Sequence, residues 1–450
     1  MIDPARNQAP LAGRRVIVVG LKKSGIAAAE LCRAEGAEVL GTDREPRERL
    51  DPEALALGIE IVAGGHAGVP FESADLVVVS PGVPPLPELE RAARAGVPVV
   101  GELELAAQRL QAPIVAIGGT NGKSTTTTLV GDMVKAAGRS VFVGGNLGTP
   151  ATRAVGAGHD VVVLEVSSFQ LERAPSFRPK VSVLLGISED HLDRYPSFAA
   201  YAAAKGNAFV NQTADDVAIV PAGDAECERQ ARRGHGRLVR FGGSGDYVVE
   251  ESAVLERASG ERFAIDPDRL SGRHNRENAA AAIAAARAVD TASAAIGAAL
   301  SAFRPLPHRM AFAGSVRGVR FYDDSKGTNV GAAVTALRGL AEAKAVLIAG
   351  GRDKQGAYEP LVAALAERGR AVVLIGEAAE RIAAAVGDRV PVARAGSMEE
   401  AVQTAFALAR PGDAVLLSPA CASFDMFRSY ADRGERFVRA VAELARKEAP

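Results

Sequence analysis

Positions 119–125 read Gly119-Thr120-Asn121-Gly122-Lys123-Ser124-Thr125, a set of residue types suited to holding a polyphosphate. Glycines let successive backbone N–H groups converge on an anion, and a helix opening at Lys123 adds the positive end of its dipole. Lys123 reaches the terminal phosphates in this arrangement, and the hydroxyl of Ser124 or Thr125 holds Mg²⁺. The usual phosphate-loop spacing has a further glycine where this chain has Ile117, so the loop is a variant. A glycine-rich turn that only caps a helix accounts for the glycines. It does not account for Lys123 followed by Ser124 and Thr125.

Other residues extend this chemistry. Glu165 closes an apolar strand over 160–166, where a carboxylate is costly unless paired or bound to a cation. Next to a phosphate loop the expected cation is Mg²⁺; an arginine partner is the structural alternative. Glu189, Asp190, His191 and Asp193 follow a strand over 181–187 and suggest a second ion or phosphate site. Of 53 basic residues only 10 are Lys, which draws attention to Lys22, Lys23, Lys123, Lys205, Lys326 and Lys354, all in polar runs. Lys205 lies on an alanine-rich helix, and spacing alone makes it a surface lysine.

Three α/β segments must position these groups. The first has a strand over 14–20, a turn at 21–25, a helix from 26 to about 35 and a strand over 38–41 closing at Asp43. Lys22 stands where a dinucleotide fold needs its middle glycine, which disfavours NAD. Lys22, Lys23 and Ser24 at a helix start can still take a diphosphate from one side, as in a nucleotide-sugar; a structural domain with solvated lysines fits the same residues. A strand over 76–80 ends in Pro81 and Gly82, the kind of strand end where open α/β sheets bind ligands. In the last third, loops rich in Asp, Ser, Lys and Gly follow strands at 323–329, 350–354 and 419–427, on one edge of a third sheet. The expected fold is α/β in three domains: Rossmann-like over 1–101, a central P-loop ATPase-like parallel sheet over 102–305, and Rossmann-like again over 306–450.

Composition bounds the rest. The 450 residues are 48% hydrophobic and 24% charged, with a formal net charge of −1. That is ordinary for a soluble globular chain and argues against a nucleic-acid partner. The N-terminus has no apolar signal core and no uncharged run nears membrane-span length. Cys32, Cys227 and Cys421 are too scattered for a disulfide framework or a metal site. These features predict a cytoplasmic protein with no membrane partner.

Together the motifs suggest an ATP-driven enzyme joining two substrates. The phosphate loop, Glu-Val-Ser-Ser-Phe-Gln-Leu-Glu at 165–172, Glu-Asp-His-Leu-Asp-Arg at 189–194, Ser-Gly-Arg-His-Asn-Arg-Glu-Asn at 271–278 and Leu-Pro-His-Arg at 306–309 closely resemble the Mur ligase family of peptidoglycan synthesis. Asp-Ser-Lys-Gly-Thr-Asn at 324–329, Gly-Gly-Arg-Asp-Lys at 350–354 and Ser-Pro-Ala-Cys-Ala-Ser-Phe-Asp at 418–425 resemble its D-glutamate-adding MurD branch. The resemblance covers the whole chain, with the motifs in order.

It implies that ATP phosphorylates the alanyl carboxylate of UDP-N-acetylmuramoyl-L-alanine and that D-glutamate then attacks the acyl phosphate. By resemblance, Gly119, Thr120, Asn121, Gly122, Lys123, Ser124, Thr125, Asn278, Arg309 and Asp324 face ATP. Ser124 and Glu165 hold one Mg²⁺, and His191 helps hold a second. Lys205 matches the family's carbamylated lysine. Ser24, Asp43, Ser80, Pro81, Gly82 and Asn146 face the UDP substrate; Lys326, Thr328, Lys354, Ser423, Phe424 and Tyr430 face D-glutamate. Glu45 takes a position that is basic in some members, and Phe424 and Tyr430 stand where others have Leu and Phe. The resemblance also implies a monomer acting in cell-wall biogenesis, and through it in cell shape, division and the cell cycle. Two alternatives are a folylpolyglutamate synthase-like ligase, which would not explain the Lys-Lys-Ser loop of the first domain, and a non-catalytic UDP-sugar sensor, which needs no acceptor pocket.

Overall fold

The computed structural model describes residues 10–266, 269–270, 272–354 and 357–448. The N-terminal run at 1–9 and Ser271, which heads the run at 271–278, lie outside the described residues. The chain contains three sheets and forms two compact units. One runs up to Ile187 and adds Ala202–Ile265 and Glu277–Ala302; the other comprises Ser188–Tyr201, Asp266–Arg276 and the chain from Phe303 onward.

The first unit holds two sheets. In the first sheet β1 (Arg15–Val19), β2 (Glu38–Asp43), β3 (Glu60–Ala63), β4 (Leu76–Val79) and β5 (Val99–Gly101) lie in the order β3-β2-β1-β4-β5, all parallel. β1 is apolar on both faces, as a covered parallel strand must be. Val16 and Val18 feed one core with Ile26 and Ala29, while Ile17 and Val19 feed the other with Phe71 and Leu89. Helix α1 (Lys23–Ala34) begins three residues before the sequence expectation. Gly25 permits its approach to β1, because a Cβ there would lie 1.8 Å from the Gly20 carbonyl oxygen.

In the second sheet β6 (Ile114–Gly118) lies between β8 (Val161–Glu165) and β9 (Val181–Leu184), with β7 (Val141–Gly145) at one edge. β10 (Val217–Pro221) and β11 (Arg237–Phe241) continue it in parallel. An antiparallel ribbon then extends it: β12 (Tyr247–Val249), β13 (Ala253–Glu256) and β14 (Arg262–Ala264). These strands are short and set among charged turns. Helix α2 (Lys123–Ala136) follows β6, and α3 (Phe198–Gly206) and α4 (Arg273–Arg287) follow later in the chain.

The second unit contains the third sheet: β15 (Ala311–Val316), β16 (Val319–Asp323), β17 (Ala345–Gly350), β18 (Gly369–Ile375), β19 (Val392–Arg394) and β20 (Ala414–Leu417), in the order β15-β16-β20-β17-β18-β19. Only β15 is antiparallel to its neighbour; the other pairings are parallel. β16, β20 and β17 are adjacent, so the loops after them emerge side by side, as the sequence predicted. Helix α5 (Val330–Arg338) packs in one core. Helix α6 (Tyr430–Lys447) packs in the other through Phe437, Val441 and Leu444. Among the described residues no helix is long and apolar enough to cross a membrane.

Candidate active site

Strand register builds the first cluster. Ile117 pairs with Glu165 and Glu165 with Gly145, so the ends of β6, β8 and β7 lie level. Immediately beyond them come the phosphate loop, Glu165 and Asn146. Gly122 adopts φ +82 at the start of α2, in the left-handed region that favours glycine. A Cβ at Gly122 would sit 2.2 Å from the Asn278 side-chain oxygen, so Asn278, 156 positions on in the sequence, packs directly on the loop. The Lys123 ammonium folds over the loop and donates to the Gly119 and Thr120 carbonyls at 3.0 and 2.8 Å. Thr120, Ser124 and Thr125 are buried, and Asn121 is exposed.

Glu165, 4% exposed, accepts from the Ser124 hydroxyl on Oε2 and from Asn146 Nδ2 on Oε1, both at 2.6 Å. A carboxylate and a hydroxyl this close are hard oxygen donors that fit Mg²⁺, which takes one or two carboxylates and completes its shell with phosphate and water. Among the described residues no three His, Cys, Asp or Glu gather as a protein-only cage.

Lys205 overturns its reading from spacing. It is 4% exposed, and its Nζ donates to the Gly119 carbonyl at 2.7 Å. The small alanines of α3 let a lysine on an apolar helix lie against the phosphate loop instead of in solvent.

Beside this cluster a cavity of about 790 Å³ is lined by Ser24, Asp43, Ser80, Pro81, Gly82 and Asn146, gathering all six residues expected to face the UDP substrate. Lys22, Lys23 and Arg44 line it too, as do Arg49 and His66, which the sequence reading did not single out. Arg49 sits in a charged turn and His66 between glycines, with nothing local to mark either. Asp43 is committed to the backbone: Oδ2 accepts from Leu21 N at 2.6 Å and Oδ1 from Glu45 N at 2.9 Å. Ser80 donates to the Gly20 carbonyl at 2.7 Å. Both residues thus fix the cavity wall.

In the second unit Asp190 is 9% exposed and organises a different cluster. Its Oδ1 lies 3.2 Å from Lys354 Nζ and accepts from His191 N at 2.9 Å. Its Oδ2 accepts from Asn329 Nδ2 at 3.3 Å. The sequence reads Glu189, Asp190, His191 and Asp193 as a second ion or phosphate site; it does not pair Asp190 with Lys354, a cation 164 residues away. His191 adopts φ 56, and its Nε2 is 3.7 Å from Asp190 Oδ2. A cavity of about 230 Å³ beside them is lined by Ser188, Glu189, Asp190, Asn329, Lys354 and Tyr358, among others.

Lys326, Thr328, Ser423, Phe424 and Tyr430 do not line that cavity. Lys326 Nζ sits 3.8 Å from the Tyr430 ring centroid, a cation–π contact. Ser423 is buried and Phe424 is 68% exposed. Asp324 is buried and accepts from the Ser418 hydroxyl at 2.7 Å. Loss of hydration pushes its carboxyl up to about 7, against the opposing pull of Ser418 and the Arg309 charge.

Arg433, missed by sequence reasoning, is 0% exposed. It donates to Ser325 Oγ, Ser325 O and Cys421 O at 3.0, 2.9 and 3.2 Å, stitching two of the three loops together. Burial pulls its guanidinium down to about 10. In the sequence it is one more arginine of a charged amphipathic helix; only the adjacent Gly434 hints at close packing.

Comparison with known proteins places these clusters in a family. Residues 14–101 match the Mur ligase MurD-like N-terminal domain, 117–286 the Mur ligase middle domain, and 308–421 the Mur ligase glutamate ligase domain. A protein of Desulfosudis oleivorans named UDP-N-acetylmuramoylalanine--D-glutamate ligase is 46% identical over 444 residues, covering 96% of each chain. A Trichlorobacter lovleyi protein of the same name is 45% identical, covering 96% of this chain and 99% of its own. The fold is shared with MurC of Thermotoga maritima (TM-score 0.61, 21% identity, 96% of this chain and 100% of that one). It is shared also with MurF of Thermotoga maritima solved with ADP (TM-score 0.62, 17% identity, 100% and 98%). This chain belongs to the Mur ligase family.

Proposed function

We propose that the chain is an ATP-dependent carboxylate–amine ligase that adds D-glutamate to UDP-N-acetylmuramoyl-L-alanine in peptidoglycan precursor synthesis. The observation that carries this reading is near-full-length identity of 46% to a relative bearing that ligase's name. In the reaction the alanyl carboxylate takes the γ-phosphoryl group and ADP departs. The D-glutamate amine then attacks the acyl phosphate, giving the amide and phosphate. Two anions and a triphosphate must come together, so positioning and charge neutralisation dominate.

The residues divide this work. Gly119, Thr120, Asn121, Gly122 and Thr125 cradle the triphosphate, and Lys123 moves from its carbonyl contacts to the β/γ-phosphates. Asn278, Arg309 and Asp324 face ATP. Ser124 and Glu165 hold Mg²⁺, and His191 helps hold a second ion; bound there, the metal neutralises phosphoryl charge. Lys205, carbamylated, becomes an anion facing the phosphate loop. Ser24, Asp43, Ser80, Pro81, Gly82 and Asn146 hold the UDP substrate. Lys326, Thr328, Lys354, Ser423, Phe424 and Tyr430 hold D-glutamate. Domains over 1–101, 102–305 and 306–450, acting as a cytoplasmic monomer in cell-wall growth and division, complete the proposal.

Phosphate release tests it, measured with UDP-N-acetylmuramoyl-L-alanine and ATP, with and without D-glutamate. Release that depends on D-glutamate is expected. Release independent of every amino acid, or none at all, overturns the reading.

A further inference from the structure

Part of the wall of the large cavity is a short loop, 145–150, contributing Gly145, Asn146, Gly148 and Pro150. Its first end is held by Glu165: Asn146 N donates to the Glu165 carbonyl at 2.8 Å, in addition to the side-chain bond already described. Inside the loop Gly145 N donates to Thr149 O at 2.7 Å and Thr149 N to Leu147 O at 3.0 Å, so the segment is short and braced. A shift at its far end is therefore carried to Asn146.

That far end is fixed by a residue outside the proposed machinery. Glu102 is 1% exposed and begins the helix Glu102–Ala107, directly after β5. Its Oε1 accepts both from Thr152 N at 2.7 Å and from the Thr152 hydroxyl at 2.9 Å. Glu102 is itself immobilised, since Gly101 N donates to Arg173 O at 2.7 Å. Ala151 and Ala154 of the same turn are buried in a core, which holds the turn without orienting its polar groups; the Arg153–Glu30 pair has both side chains well exposed and contributes little.

We propose that Glu102 is a positioning residue for the UDP-linked substrate: through Thr152 it sets the 145–150 loop and hence the placement of Asn146 against the bound sugar nucleotide. The inference rests on the function proposed above. Burial raises the Glu102 carboxyl while the Thr152 and Ala151 donors oppose the shift. Oε2 is buried with no hydrogen-bond partner, so the clamp uses a single oxygen, and an amide carries that oxygen as well as a carboxylate does.

The test is Glu102→Met, near in length and without an acceptor, beside Glu102→Gln. Glu102→Met is expected to raise KM for the UDP substrate about tenfold, with KM for ATP and D-glutamate within about twofold of wild type. Glu102→Gln restores the wild-type KM even where its amide nitrogen, buried at the Oε2 position, lowers Tm. A purely structural role moves all three KM values together and tracks Tm; that result, or an unchanged KM in Glu102→Met, overturns the inference. If Glu102→Met does not fold, Thr152→Val removes one of the two donors and is expected to raise the same KM about threefold; no change there overturns it equally. Wild-type turnover in the same assay keeps the questions apart: without it the ligase reading fails, and with it Glu102 is judged on the KM split.

Discussion

The phosphate-loop cluster and the Asp190 cluster are built on opposite plans. The first is mostly backbone: a left-handed glycine, a helix N-terminus and strand ends brought level by parallel register. Its side chains are arranged around that backbone: Ser124 and Asn146 donate to Glu165, and the Lys123 and Lys205 ammoniums donate to loop carbonyls. The second, with the loops of its unit, presents polar and charged side chains already committed to one another: Lys354 to Asp190, His308 Nδ1 to Asp323 at 2.6 Å and, away from the Asp190 cavity, Lys326 over Tyr430. A backbone cradle suits a ligand part common to many proteins, a polyphosphate. Paired side chains suit discrimination, because a ligand entering them must replace each partner it displaces, and a poor fit leaves a buried charge unpaired.

Removing Lys205 tests the backbone-built half most severely. Lys205→Ala takes away a buried lysine that touches the loop through Gly119. In the proposed scheme the substitution also removes the carbamate, and kcat is expected to fall by about a thousandfold. Added bicarbonate should not restore it, whereas a short-chain carboxylic acid should restore part. Full activity in steady-state assays of the variant would remove the carbamate from the scheme. In the other half, Lys354→Ala takes the ammonium away from Asp190 Oδ1 and with it the proposed glutamate contact. KM for D-glutamate should rise about a hundredfold with KM for the UDP substrate near wild type. Equal rises in both would erase the distinction drawn between the two regions.

The same contrast explains what could be read before the structure was known. A backbone cradle is local in sequence, so the run 119–125 and the first turn of α2 were legible directly. The three side-by-side loops of the third sheet were legible too, since strand–loop–helix alternation fixes which edge they share. Asp190 and Lys354 were both picked out, but not as partners, because a pairing across 164 residues leaves no local pattern. Lys205 was read as exposed for the same reason. Its burial depends on which face of an alanine-rich helix meets the phosphate loop, and such a helix has no amphipathic stripe to say so. Arg433 and Glu102 were invisible because charged residues in helices are mostly solvated.

Asp324 sharpens the comparison through pH. Its folded value is raised to about 7 from 3.8, so the native state keeps a proton that the unfolded chain gives up. Its stabilising contribution is full below the unfolded value and is lost as pH rises towards the folded one. Between roughly pH 5.5 and pH 7 the loss is about 2 kcal/mol, and above that it flattens. Asp324→Asn should abolish this slope in denaturant melts run at each pH. A slope unchanged by the substitution would show that hydration reaches the carboxyl in solution.

The smallest effect is expected at Tyr430. Its ring lies under Lys326, while its backbone carbonyl accepts from the Ser325 hydroxyl at 2.8 Å. The backbone bond survives any substitution, so what is at stake is the ring's hold on the ammonium and its edge contact with His308, 6.2 Å between centroids. A cation–π contact at a half-exposed site contributes about 0.5–1 kcal/mol. Tyr430→Leu should therefore raise KM for D-glutamate about threefold, and Tyr430→Phe, which keeps the π face, should leave it unchanged. If Phe proves as damaging as Leu, the phenol oxygen rather than the ring is what glutamate binding uses. The Asp190 half would then depend on hydrogen bonds, as the phosphate half does, and the difference between the two plans would narrow.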